Sequence, residues 1–179
     1  MDWSNTQEYI REFCCEQQID IITSTLMPQG YEDAFGTYDW LKNTLYLNID
    51  LLSCVSDTEI LFYLYHELRH ALQYQKPHLF SEQLQKSLYY VILYNGICFK
   101  LTDKQWLECK LSGDEAYFSQ AYLSLPYEID ANIFAYQEVK KITGDSCELN
   151  NLHRFWIPSS PLPYSELEDI FIRIDQAVL

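Results

Sequence analysis

The sequence predicts an α+β chain: a small N-terminal β-sheet packed on one long helix, then a mainly helical remainder. Three features carry that expectation. Thr44–Ile49, TLYLNI, alternates Leu45, Leu47 and Ile49 with Tyr46 and Asn48, the period-two pattern of a strand with one buried face. Ser56-Asp-Thr-Glu59 has the form of a capping box, in which the serine oxygen accepts from a backbone N–H and the glutamate reaches back. A helix therefore starts at Asp57 and runs to Gln75, ahead of Pro77, whose ring cannot continue it. Pro126, suited to a first helical turn, opens another long helix to Thr143, with Gly144 as the residue just past its end.

The other elements follow in order. Ser4 to Gln18 reads as an amphipathic helix, with Tyr9, Ile10, Phe13 and Cys14 at helical spacing. Asp20 to Leu26 is rich in β-branched residues and reads as extended, with a turn at Pro28–Gly30. Ala34–Trp40 and Thr44–Ile49 form a hairpin around Leu41–Asn43. Ser81 to Tyr94 is expected to be a helix ending near Asn95-Gly96. Leu101–Leu125 is expected to be mostly helical but irregular, and Asn150–Pro163 a loop. Ser165-Glu-Leu-Glu168 reads as a second capping box for a last helix to Ala177.

At 179 residues the chain is expected to form a single domain, 1–179, with enough core to fold without staples. A net charge of −14 argues against nucleic acid and anionic membranes as partners, because both require a basic footprint. No stretch is apolar for long enough to span a bilayer, and the N-terminus lacks the basic start and apolar run of a signal peptide. The six cysteines form no CxxC pair, so reduced thiols and a cytoplasmic location are expected. The fifteen tyrosines, each an apolar ring with a polar tip, suit half-buried faces and a peptide cleft.

The chemistry concentrates in Leu61–Gln75, LFYLYHELRHALQYQ. At about 100° per residue, Leu61, Leu64, Leu68 and Leu72 form one stripe, and His66 and His70 lie nearly opposite with Glu67 beside them. Spacing of i, i+4 brings two imidazoles close enough to share one cation, while Glu67 can reach a water on it. That is the logic of HExxH: two zinc ligands and a general base. The plainer alternative is a pair of buried histidines hydrogen-bonded to tyrosine or backbone. The metzincin pattern fails, because the place of its third histidine is Lys76. The third ligand is sought in LPYEIDANIFAYQEV, where Glu128, Ala131, Asn132 and Ala135 share a helix face. Glu128 is the first choice and Asp130, on another side of that helix, the reserve. Asn132 is placed to hydrogen-bond a ligating imidazole.

HELRH with a downstream Glu128-Ile-Asp-Ala-Asn132 resembles the gluzincin branch of the zincin metallopeptidases, and EIDANIFA is similar to the matching segment of ImmA/IrrE-type proteins and of small bacterial and phage-encoded metallopeptidase-like proteins. The resemblance spans about Thr37 to Gln137. It departs at Arg69, where many relatives have glycine, and at Asn132, where aspartate is frequent. It implies a zincin-like fold, one Zn2+ held by His66, His70 and Glu128, and Glu67 as the base that activates water against a peptide carbonyl. It also implies that a protein or peptide substrate adds as a strand beside TLYLNI. The oxyanion donor is left among Tyr127, Tyr122, Tyr136, His153 and Arg154, with Tyr127 and His153 foremost. Two further function classes stand beside the peptidase: a catalytically silent zincin-fold protein acting through protein contacts, and a metal-free helical interaction protein.

Overall fold

The computed structural model describes residues 3–103 and 105–178, with no account of the side chains of residues 3 and 4. Among these residues the fold is mixed α+β, with eight α-helices and two three-stranded sheets. Two compact units are present, Met1–Pro77 with Asp130–His153, and His78–Ile129 with Arg154–Leu179.

The first unit opens with α1 (Trp3–Gln17), then β1 (Ile22–Ser24), β2 (Gly36–Asp39) and β3 (Thr44–Leu47). β3 is central: β1 pairs with it in parallel and β2 antiparallel. The alternation read in TLYLNI holds for Leu45 and Leu47, which are fully buried, and fails after them, where Asn48 is buried and Ile49 exposed. The expected hairpin is therefore real, and Asn43 takes the left-handed conformation at its turn. Two expectations need correction here. A peptide cannot add beside β3, because both its edges are already paired. The chain after β3 forms a short helix, α2 (Ile49–Leu52), because Asn48 caps Leu51 N–H at 3.2 Å.

Helix α3 (Asp57–Gln75) has the predicted bounds. Its capping box is formed in both directions, with Ser56 Oγ accepting from Glu59 N–H at 3.1 Å. The leucine stripe is the core: Leu61, Leu64, Leu68 and Leu72 are all buried. Full burial of each such side chain contributes roughly 1.5–3 kcal/mol. The C-terminal end is tied to the sheet by Gln75, whose amide donates to Asp20 O at 2.8 Å and Asn43 Oδ1 at 3.0 Å. Aromatic pairs set α3 against β2. Phe35 stacks on Tyr63 at 4.3 Å and Trp40 on Tyr74 at 5.9 Å. Tyr63, Glu67 and Tyr74 share one line of the helix, so Glu67 is held between those two pairs.

Helix α6 (Pro126–Thr143) also has its predicted bounds, with Gly144 in the left-handed conformation just past it. Phe134 on this helix meets Phe13 of α1 at 5.9 Å and Tyr65 of α3 at 6.3 Å. Helix α7 (Cys147–Trp156) replaces the first half of the expected loop, because Ser146 Oγ accepts from Leu149 N–H at 3.1 Å and starts a helix.

In the second unit the expected helix over Ser81–Tyr94 is only α4 (Glu82–Ser87). An antiparallel sheet follows, β4 (Tyr90–Ile92), β5 (Ile97–Leu101) and β6 (Trp106–Lys110), in place of further helix. Asn95-Gly96 is thus a hairpin turn rather than a helix end. Gly96 has φ +78°, and a Cβ there would meet Leu111 O and the Phe118 ring at 2.8 Å, so only glycine fits. Helices α5 (Glu115–Ser124) and α8 (Tyr164–Ala177) complete the unit. The second capping box does not form, because α8 already begins at Tyr164 and Ser165 lies inside it. No described helix is long and apolar enough to cross a membrane, and all six cysteines are free thiols.

Candidate metal centre

The site is built on α3 and on the first two turns of α6. The two helices are locked together by polar as well as aromatic contacts. Asp130 accepts from Arg69 Nε at 2.7 Å and from Arg69 Nη2 at 3.1 Å. The same carboxylate accepts from Gln73 Nε2 at 2.8 Å, and the Arg69 guanidinium lies 4.6 Å over the Phe134 ring. Half a turn before Asp130, on the same continuous helix, Glu128 is carried with it.

One ligand atom from each of His66, His70 and Glu128 lies within 4.8 Å of the other two. The rings of His66 and His70 stand edge to face, with their Nε2 atoms 2.9 Å apart. His70 and Glu128 are buried and His66 half-buried. Two imidazoles and one carboxylate are a donor set that zinc accepts. Tetrahedral zinc with bonds of about 2.0–2.1 Å to nitrogen holds its ligand atoms roughly 3.3 Å apart, so the rings need part by only some tenths of an ångström. The residues fit the ion in kind and in spacing.

The electrostatics agree. Burial holds His66 well below the usual histidine range, with the neighbouring His70 adding to the effect and a hydrogen bond to Asn132 opposing it. Burial brings His70 down to about 4, against the opposing hydrogen bond of Gln73 and the charge of Asp130. Both rings are therefore neutral at pH 7, the state in which imidazole binds a metal. Asn132 thus reaches the His66 ring.

Glu67 lies apart from this donor group, at the outer edge of β2. Asn48 N–H bonds Phe35 O at 2.9 Å, which sets the register so that Thr37 and Asp39 face β3 while Gly36 and Tyr38 turn outward. The Tyr38 backbone N–H donates to the Glu67 carboxylate, and burial, the larger effect, pushes that carboxyl up to about 8. Gly36 leaves room for it: a Cβ there would lie 3.1 Å from Glu67 Cγ.

The remaining expected residues lie as follows. Asp130, the reserve ligand, is committed to Arg69 and Gln73 and is outside the donor group. Tyr127 is buried and its hydroxyl donates to Tyr90 O at 3.1 Å. The His153 ring tilts over Tyr136 at 4.5 Å, two helical turns, or about 12 Å of axis, beyond Glu128. Two residues went unread in the sequence. Gln73 contacts His70 Nδ1 at 2.9 Å, and its spacing of i+3 from His70 was the available signal. Tyr31 is near enough to Glu67 for that charge to raise its own pKa, after burial and Asp39; nothing in the sequence placed it there.

No protein-family model matches the chain, and neither a curated protein nor a solved structure does so.

Proposed function

We propose that the chain is a zinc-dependent peptidase of the zincin type, in the gluzincin branch, using His66, His70 and Glu128 as ligands and Glu67 as general base. The single observation that carries this reading is the meeting of three donor atoms within 4.8 Å, two from HELRH and one from Glu128 on α6, with Glu67 standing between the two histidines in sequence and not itself one of the three. A metal serving only as a staple requires no such carboxylate.

A cation held there would act as a Lewis acid and lower the pKa of a coordinated water towards about 7. The protein's own share is positional. Glu67, fixed by Tyr38 N–H, would take a proton from water in its ionised form and pass it to the departing amine; its value of about 8 in the metal-free protein means that a nearby positive charge is needed to favour that form at pH 7. The outward backbone groups of Gly36 and the Tyr38 carbonyl offer an extended peptide an edge on β2 to pair with, the Tyr38 N–H being taken by Glu67, in place of the edge first expected on β3. Tyr31, whose hydroxyl feels the Glu67 charge, is a candidate oxyanion donor.

Glu67→Gln is the test. The variant keeps the shape of the side chain and all three ligands. It is expected to bind zinc as tightly as wild type while hydrolysis of a peptide library falls by about 100-fold or more. Wild-type protein that binds zinc yet cleaves nothing would instead indicate a silent zincin-fold binding protein.

A further inference from the structure

Arg69, Asp130, Gln73 and His70 form a chain whose hydrogen-bond direction is set by chemistry. Arginine only donates, and an ionised aspartate only accepts. Asp130 already receives both Arg69 contacts, so the group that Gln73 turns to it at 2.8 Å must be the amide NH2. The amide oxygen then faces His70 Nδ1 at 2.9 Å. An amide oxygen can only accept, so Nδ1 carries the proton and Nε2 keeps its lone pair. That Nε2 is the nitrogen 2.9 Å from His66. Gln73 is fully buried, where an amide is tolerated only with partners at both ends.

From this polarity we propose that Gln73, backed by Asp130 and Arg69, is a positioning unit that fixes the tautomer of His70 and so prepares it to bind zinc. The proposal rests on the metallopeptidase reading, and it explains the arginine of HELRH: Arg69 anchors the far end of the chain. Reversing one link should reverse the rest. In Asp130→Asn the new amide can donate to Gln73, whose own NH2 then turns to His70 and forces the proton onto Nε2. In the pair Gln73→Glu with Asp130→Asn, the amide introduced at position 130 donates to the carboxylate introduced at position 73. That carboxylate accepts from Nδ1–H, and the original direction returns.

The test uses two readouts on full-length protein. Two-bond 15N–1H correlation of metal-free, histidine-labelled protein reports each ring's tautomer, and competition against a chromophoric chelator reports zinc affinity. Wild type should show His70 protonated at Nδ1. Asp130→Asn should move the proton to Nε2 or split the population and weaken zinc by about 10–100-fold. The double variant should restore the tautomer and bring affinity to within about threefold, which a variant with merely damaged packing would not do. The proposal is overturned if Asp130→Asn leaves tautomer and affinity unchanged, or if the double variant rescues neither. Wild type that takes up no zinc removes the peptidase reading, whereas the tautomer shift still decides whether Gln73 sets the His70 proton.

Discussion

Gly36→Ala tests how closely β2 and Glu67 are fitted. An added Cβ would lie 3.1 Å from Glu67 Cγ, 3.2 Å from Leu47 Cδ2 and 3.2 Å from Tyr46 O. Two effects compete. Gly36 has no positive φ, so alanine narrows the unfolded ensemble and gains about 0.4–1 kcal/mol. Against this, Tyr46 O is backbone in a central strand and Leu47 is fully buried, so neither gives way easily. Overpacking of this kind costs about 1–3 kcal/mol. The net expectation is a loss near 1 kcal/mol, or a fall in Tm of about 2–4 °C for a chain of this size. Calorimetry reads it directly. Zinc affinity should be unchanged, since Glu67 is not a ligand, while hydrolysis should fall as the base is displaced. In a Glu67→Ala background the closest contact is gone, so the same substitution should cost less, by about 0.5 kcal/mol. A Gly36→Ala protein as stable as wild type, with no coupling to position 67, would refute the claim that β2 packs tightly on the base.

Further outcomes are open to simple measurement. Ser56→Ala removes the Oγ that caps α3 and should cost about 1 kcal/mol in urea unfolding, with no change in the metal site. Burial pushes the Cys98 thiol up to about 12, so at pH 8 its thiolate is present only in traces. Native protein treated with iodoacetamide at pH 8 should be labelled at exposed Cys15, Cys54 and Cys147 and spared at Cys98 by mass spectrometry. The same shift has a definite sign for stability. The raised value favours the neutral thiol in the fold, so its contribution is complete below the unfolded value of 9.0 and is lost as pH rises towards 12. Cys98→Ser should therefore flatten the stability curve in that window.

The elements that were legible in the sequence are those whose signals are local and complete. Ser56, Glu59 and Pro77 bound α3 by themselves, and Pro126 with Gly144 does the same for α6. The second sheet was misread because Tyr89–Leu93 can serve as buried helix or buried strand. Asn95-Gly96 was the deciding feature, since that pair is the strongest short hairpin signal. Helix α7 was missed although its signals were in the sequence: Ser146 offers an N-cap, and Leu149, Leu152, Phe155 and Trp156 recur at i, i+3, i+6 and i+7. At the site, the i, i+4 spacing and the shared face of Glu128 and Asn132 were enough to bring the donors together on paper. The role of Asp130 was not, because it depends on partners 57 and 61 residues away whose direction only the packing of α6 on α3 reveals. Tyr31 likewise owes its place to the turn before β2.

Metal content tests the central claim most directly. Protein purified without chelators should carry one zinc per chain by elemental analysis, and Glu128→Ala should lose most of it. X-ray absorption on the wild type should report nitrogen and oxygen neighbours at about 2.0–2.2 Å. A chain that holds no stoichiometric divalent metal, or a Glu128→Ala variant with unaltered affinity and coordination, would contradict the account.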